Sequence, residues 1–414
     1  MSRPGAADPL ADQYEAYPYP ARDPAEEAKR LIQGSPSDLR EIRHYLRGGR
    51  FDPGRPFRAL IAGGGTGDAA IMLAQQLHDA AAGEAEVVYL DLSGSSRAVA
   101  EARAKARGLA NLRFHSGRLE DLAELAPGPY DYIDCCGVLH HLADPPAGLA
   151  ALTAALAPDG GLGLMVYAPY GRSGVYELQA LLRDLAGEAP LAEQVSLARR
   201  LLGKLPETNR LKRNPYLFDH RQSDAALVDL LLNLRDRAYA LPELLDLLEG
   251  ADLRPLSFIS AALYEPETYV ADPVLAQRFA ALSPAARWQA AESLAGNMKT
   301  HVLYAAPKGG TAATAVLSDA AIPLLTKHKG AELARAAQQD LSIKATVEGF
   351  ALRRRLPRLA PAILGRTDGQ RSVAGIREDL QRANPAIDEA RFDAEMQATY
   401  DALQGLNLLL LRYA

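Results

Sequence analysis

Arg58-Ala59-Leu60-Ile61-Ala62-Gly63-Gly64-Gly65-Thr66-Gly67 is a short apolar run that ends in glycines at positions 63, 65 and 67; an apolar helical pattern, Ala69 to Leu77, comes directly after it. That is the order of a buried strand, a tight turn and a helix N-terminus. Glycine lacks a Cβ, so a turn of this kind lets main chain approach a ligand closely. The turn has no lysine of the phosphate-binding-loop type. No third glycine in G-x-G-x-x-G spacing follows Gly65, so the dinucleotide fingerprint fits poorly as well.

Working outward, strand-like runs lie at 58–62, 86–91, 111–114, 130–135 and 161–168, with helical patterns at 68–82, 95–107, 119–125 and 146–156. Apolar strands spaced by amphipathic helices predict βαβ units, a mostly parallel sheet and helices on both faces. Asp159-Gly160-Gly161 reads as a turn into the fifth strand. Strand signal returns at 255–260 and 301–306 and completes a seven-stranded, doubly wound α/β sheet. The helical stretch 174–240 is then an insertion ahead of the sixth strand.

Asp91 closes the second strand, where an acidic side chain after a glycine turn is placed to accept from ribose hydroxyls. Gly117-Arg118-Leu119-Glu120-Asp121 follows the third strand. Tyr130-Asp131-Tyr132-Ile133-Asp134 runs into Gly137-Val138-Leu139-His140-His141-Leu142 after the fourth, and Leu156-Ala157-Pro158-Asp159-Gly160-Gly161 comes later. With these motifs in order, residues 57–307 resemble the class I S-adenosylmethionine-dependent methyltransferases, whose fold is Rossmann-like.

The resemblance implies S-adenosylmethionine as cofactor. Its methionine end falls on Gly63, Gly64, Gly65 and Gly67, its ribose on Asp91, and its adenine near Leu92, Arg118 and Leu119, with Gly137 and Val138 flanking the sulfonium. Two positions depart from the family pattern. Ile61 stands where an acidic residue is usual two places before the first glycine, and Arg118 stands where one is usual near the adenine amine.

His140 is the candidate general base, since imidazole titrates near neutrality. Tyr167 heads a group with Tyr170, Arg172 and Tyr176 that could line an acceptor pocket. Residues 13–24, with three tyrosines and three prolines, read as an extended, stiff segment. Tyr19 is its candidate contribution to the site, and the segment is expected to cover the cofactor. Residues 25–33 and 36–48 read as helices, the second entered through Ser35-Pro36. Residues 1–56 then form an N-terminal helical lid, and 57–308 the methyltransferase domain.

Gly309 to Thr314 reads as a small flexible linker. Beyond it, 319–414 is expected to be a small, mostly helical domain closed by an apolar strand within Leu406–Tyr413. Leu364 to Ile376, with Leu403 to Leu411, weakly resembles PqqD-like winged-helix modules. It also resembles the C-terminal domains appended to bacterial protein methyltransferases, including the rickettsial protein-lysine enzymes. Such modules contact a peptide or pair subunits, so a homodimer through this domain is one expectation.

With 48% apolar and 23% charged residues among 414, the chain has the composition of a globular protein with a sizeable core. A net charge of −5 gives no push toward nucleic acid, and the short run Arg353-Arg354-Arg355 reads as a solvated face. No apolar run reaches membrane-spanning length, and Met1 to Pro9 lacks a leader pattern. The adjacent Cys135 and Cys136 read as reduced thiols, which places the chain in the cytoplasm. No metal-ligand spacing is present. The expected function is transfer of a methyl group to a protein or peptide side-chain nitrogen. The alternatives are a small-molecule N- or O-methyltransferase and a non-catalytic, cofactor-binding regulatory protein.

Overall fold

The computed structural model describes residues 9–414. The expectation that Met1 to Pro9 carries no leader therefore lies, except for Pro9, outside the described residues. Seven strands form one mixed sheet: β1 (Phe57–Ala62), β2 (Ala85–Asp91), β3 (Leu112–Ser116), β4 (Tyr130–Cys136), β5 (Leu156–Tyr167), β6 (Leu253–Phe258) and β7 (Thr300–Pro307). Their order is β3-β2-β1-β4-β5-β7-β6. The pairs β1–β2, β2–β3, β1–β4 and β4–β5 are parallel. Because β1 lies between β2 and β4, the strand order reverses there. The crevice beyond the carboxyl ends of β1 and β4 is the ligand position in such sheets.

The first four α-helices among the described residues are α1 (Pro9–Ala16), α2 (Leu39–Tyr45), α3 (Asp68–Asp79) and α4 (Gly94–Arg107). β1 is buried along almost its whole length, and α3 buries Ile71, Leu73 and Leu77. These near-continuous apolar strands are what a sheet covered on both faces requires.

Several local expectations are corrected. Asp159-Gly160-Gly161 is not a turn, because β5 already begins at Leu156. The pairing jumps from Tyr130↔Leu156 to Tyr132↔Gly161, so these residues form a bulge that the small side chains permit. Tyr14 and Glu15 lie on α1 rather than on an extended segment, since no proline occurs between Leu10 and Tyr17 to stop a helix. Residues 25–33 shrink to a 3-10 turn, Pro24–Ala28, capped by Asp23, where ion pairs of Glu27 outweigh helix propensity. Pro36 does not open a helix, for α2 starts only at Leu39.

The described residues group into two compact units. One comprises those up to Asp38 with Pro53–Arg254 and Gly296–His301; the other comprises Leu39–Asp52, Pro255–Ala295 and Val302–Ala414. In the first, the helical residues between β5 and β6 have an apolar cluster of their own, including Leu178, Leu182, Leu227, Leu230 and Leu231, with Tyr17 packed against it. In the second, helices Gly330–Asp340, Val373–Ala383 and Glu389–Gln404 accompany two short antiparallel ladders. One pairs β8 (Ile322–Leu325) with β11 (Leu409–Arg412), and the other pairs β9 (Ser342–Val347) with β10 (Phe350–Arg355).

The stretch read as a flexible linker is tied down instead. Gly48 N–H donates to the Ala313 carbonyl at 2.7 Å and Ala313 N–H to Leu46 at 3.1 Å, since these main-chain groups need partners once enclosed. α2 carries polar groups inward in the same unit. Asn407 donates to Glu41 at 2.6 Å, and Leu411 N–H donates to His44 Nδ1 at 3.0 Å.

His44 is 0% exposed, and burial pushes its imidazole down to about 4. Only the neutral ring can accept the Leu411 N–H. A depressed histidine pKa means that the unfolded chain binds the proton first. Stability from this residue is therefore complete above pH 6.5 and is lost as pH falls from there through about 4. At about 1.4 kcal/mol per pKa unit this loss is about 3 kcal/mol. Urea unfolding at pH 7.5 and pH 4.5 should show it, and His44→Gln should flatten the difference. Equal pH slopes for the two proteins would refute the assignment.

Candidate active site

The residues after β1 fold as the glycine spacing requires. Gly63 has φ +74°, and a Cβ there would fall 2.2 Å from Val138 Cγ2. Gly65 has φ +51°, and its Cβ would fall 2.7 Å from the Tyr19 carbonyl oxygen. Both positions combine a left-handed backbone with close approach, a conjunction that only glycine meets without strain. The turn is held from below as well: Gly63 N–H donates to the Leu90 carbonyl at 2.8 Å, and Tyr89 hydroxyl donates to the Gly65 carbonyl at 2.6 Å.

Asp91, at the end of β2, locks the turn to the neighbouring strand. One carboxylate oxygen accepts from Gly65 N–H at 2.7 Å and the other from Ser93 N–H at 2.8 Å. Burial raises the Asp91 pKa, and these main-chain donors oppose the rise by favouring the ionised form. The turn and Asp91 open on a cavity of about 410 Å³, walled by Leu92, Arg118, Leu119, Gly137 and Val138 among others. That volume lies within the roughly 300–1,000 Å³ usual for small-molecule sites.

The N-terminal segment closes one side of this cavity. Tyr14, Tyr19 and Pro20 line it. Thr66 hydroxyl donates to the Pro20 carbonyl at 2.6 Å, and Glu15 accepts from Ser95 N–H at 3.0 Å. Arg103 on α4 joins Glu27 at 2.6 Å and Asp68 at 2.7 Å, and Arg22 also reaches Asp68 at 2.6 Å. Burial would raise the Asp68 pKa, but Arg22 and Arg103 overrule it and lower the value. Segment, glycine turn and α4 are thus stitched by one charged network.

Part of the cavity lining is polar. Asp229 is 5% exposed; it accepts from Tyr14 hydroxyl at 3.0 Å and from Tyr167 hydroxyl at 3.1 Å. Its neighbours Leu227, Leu230 and Leu231 are buried in the helical cluster, so the π-helical turn Val228–Leu232 is anchored while Asp229 lines the cavity. Burial first, and Asp229 second, raise the pKa values of Tyr14 and Tyr167. Arg172 lies 3.7 Å from the centre of the Tyr167 ring and pairs with Asp236.

Of the residues named from sequence, Gly63, Gly64, Gly65, Asp91, Leu92, Arg118, Leu119, Gly137, Val138, Tyr19 and Tyr167 line the cavity, while Gly67 and His140 do not. Gly67 instead precedes α3, where its Cβ would meet Ala100 at 2.8 Å. His140 is 2% exposed and stacks on Tyr167 with ring centres 3.8 Å apart; neither ring nitrogen has a hydrogen-bond partner. Burial, with His141 and Arg172 nearby, drives its pKa well down, so it stays neutral.

His141 lines the cavity in its place. Its Nδ1 lies 2.6 Å from the Arg235 carbonyl, which can only accept, so Nδ1 carries the proton and a neutral ring keeps its lone pair on Nε2. Sequence reasoning placed the candidate base at His140 rather than at the adjacent His141, and it gave no role to Asp134, Asp219 or Asp229. Asp134 had a signal in the alignment of strands: β1 and β4 pair with Ile61 opposite Asp134, so a carboxylate stands beside the position where Ile61 breaks the acidic pattern. Asp219 and Asp229 had none, for they lie in the helical stretch far along the chain.

Among the described residues no helix is long and apolar enough to cross a membrane, and no group of three His, Cys, Asp or Glu could hold a metal ion. Residues 60–162 match the methyltransferase domain family. An uncharacterized protein of Synechococcus is 33% identical over 289 residues, 67% of this chain and 65% of its own length. The tRNA 5-carboxymethoxyuridine methyltransferase of Escherichia coli is 36% identical over 115 residues, 28% of this chain and 41% of its own. The chain thus spans less than two thirds of the length of these curated relatives.

PKMT2 from Rickettsia typhi shares the fold over 91% of this chain and 75% of its own, with TM-score 0.62 and 12% identity. PKMT2 has also been solved in complex with AdoHcy. Matched motifs, sheet order and the family match over residues 60–162 agree that this chain carries a class I S-adenosylmethionine-dependent methyltransferase domain, with S-adenosylmethionine as its cofactor.

Proposed function

We propose that the chain transfers a methyl group from S-adenosylmethionine to an acceptor, preferentially a protein or peptide side-chain nitrogen. The observation that carries the reading is the glycine turn bonded through Gly65 N–H to Asp91, both lining a ligand-sized cavity. Gly63, Gly64 and Gly65 are assigned the methionine end, Asp91 the ribose, Leu92, Arg118 and Leu119 the adenine, and Gly137 and Val138 the sulfonium. Asp134, beside Ile61, is assigned the amino group. Bound there, the cofactor would supply an electrophilic methyl group to the lone pair of the acceptor and keep the carbon–sulfur bonding electrons as a neutral thioether.

The chain's part is then mainly positioning and exclusion of water, which the N-terminal segment favours by covering the turn. Tyr19 and Tyr167 are assigned to the acceptor side. His141, rather than the enclosed His140, is the histidine available to accept a proton. The preference for a protein or peptide acceptor, and the idea of a homodimer, rest on the appended C-terminal unit. A cytoplasmic location is part of the same reading.

Saturating S-adenosylmethionine or AdoHcy should raise the melting temperature, because a ligand at 100 times its Kd stabilises the native state by about 2.7 kcal/mol. No shift with either would defeat the reading. Incubation with methyl-labelled cofactor and lysate, with and without protease, separates acceptor classes. Label that is large before protease and small after it supports a protein. Label found only at low mass favours a small-molecule acceptor, a reading suited to the covered cavity. Binding without any label transfer supports a non-catalytic regulator.

A further inference from the structure

The part of the cavity lined by Tyr14, Tyr19, Tyr167, Asp219 and Asp229 has a chemistry that methyl transfer by itself does not require. We propose that it is an amine-selective acceptor subsite, which takes an aliphatic stem ending in an ammonium group and excludes alcohols and carboxylates of the same length. This rests on the methyl-transfer reading and names the substrate class for it.

The hydroxyl hydrogens of this wall are already committed. Tyr14 and Tyr167 each spend their single hydroxyl hydrogen on Asp229, one on each carboxylate oxygen. Asn233 Nδ2 donates to Tyr14 hydroxyl at 3.0 Å, which keeps that hydrogen turned to Asp229. What remains on this wall is carboxylate lone pairs, the acceptor lone pair of the Tyr167 phenol oxygen, and aromatic faces. An ammonium group, with three donors and no acceptor, complements such a surface. Its charge is also attracted to the faces of the tyrosine rings. Asp219, half-buried on the same wall, adds negative charge.

One of the positive groups nearby does not oppose this arrangement. Arg172 is already committed to Asp236, to the Tyr176 hydroxyl at 3.0 Å and to the Tyr167 ring. Arg235 and Lys299 also line the cavity; they are the groups a carboxylate acceptor would have to use. The stem has its own lining: Leu10, Leu217 and Leu230 border the same cavity and suit methylenes rather than a polar chain. Before its lone pair can attack, the bound amine must release one proton, for which His141 Nε2 in the same cavity is the acceptor.

The test is equilibrium binding to the full chain saturated with AdoHcy. The probes are the blocked amino acids N-acetyl-lysine methylamide, N-acetyl-norleucine methylamide and N-acetyl-glutamate methylamide. The lysine probe should bind at least about 10-fold more tightly than the norleucine probe, as a charge-assisted hydrogen bond to a buried carboxylate implies. Asp229→Asn keeps an acceptor for one of the two tyrosine hydroxyls and removes the charge. It should weaken the lysine probe about 10-fold or more and leave the norleucine probe unchanged.

Equal binding of lysine and norleucine probes, or tightest binding of the glutamate probe, overturns the proposal. So does an Asp229→Asn protein that binds the lysine probe normally but loses affinity for S-adenosylmethionine relative to AdoHcy, because the wall would then serve the sulfonium. Tyr14→Phe, which withdraws one hydroxyl from Asp229 and keeps the ring, provides a second variant should Asp229→Asn not fold. It should also shift the lysine-to-norleucine ratio, and an unchanged ratio counts against the subsite. Failure of the methyl-transfer reading itself is seen separately, as absence of AdoHcy binding.

Discussion

Arg103→Leu should lower the stability of the protein by about 3 kcal/mol, at the lower end of the range for breaking a buried ion pair from one side. Arg103 is 1% exposed, and it holds Glu27 of the N-terminal segment and Asp68 of α3 at once. Leucine fills part of the space but leaves a buried carboxylate short of a partner. The loss stays at the lower end because Arg107 still reaches Glu27 and Arg22 still reaches Asp68. Arg22→Ala is the contrast. Its pair is about a third exposed on each side, and exposed pairs contribute about 0–1 kcal/mol. Urea denaturation measures both. A change below about 1 kcal/mol for Arg103→Leu would show that the network is not what fixes the segment. AdoHcy affinity should fall with it, since Tyr19 and Pro20 form the wall that the network holds in place.

Asp91→Ala should weaken AdoHcy binding about 100-fold or more. Hydrogen bonds to a charged group are worth about 1.5–3 kcal/mol each, and a ribose presents two hydroxyls. The substitution also withdraws the acceptor of the Gly65 and Ser93 N–H groups, which loosens the glycine turn itself. Asp91→Asn retains a carbonyl oxygen for one of those donors and should be intermediate. Isothermal titration with AdoHcy reads the effect directly. An Asp91→Ala protein with unchanged affinity would remove Asp91 from the ribose role. The melting temperature of the ligand-free variant tells whether the turn was lost as well.

Local sequence carried a large share of the fold. The strand runs, the glycine turn and Asp91 are short-range signals: period, a missing Cβ, and an acidic residue at a strand end. Each acts within a few residues, so each can be read without knowing what packs against it. Alternation of strand and helix then implies parallel pairing, while the order of the strands is seen only in the folded sheet. The same locality explains the corrections. Asp159-Gly160-Gly161 looks like a turn, yet it becomes a bulge because β4 offers pairing partners on both sides of it. Gly309 to Thr314 looks flexible, yet Leu46 and Gly48 claim its main-chain groups.

The glycine stretch from Gly63 to Gly67, with Asp91, was decided by sequence alone, because only glycine tolerates that backbone and that crowding. Which of two adjacent histidines faces the cavity was decided by tertiary structure, since a one-residue step turns the side chain away and leaves His140 stacked behind Tyr167. Tertiary structure also decided the acceptor wall. Tyr14 and Asp229 are separated by 215 positions, and Tyr167 and Asp229 by 62. No periodicity spans such distances. Only folding the helical stretch over the sheet, driven by its leucine cluster, brings the carboxylate to the two hydroxyls.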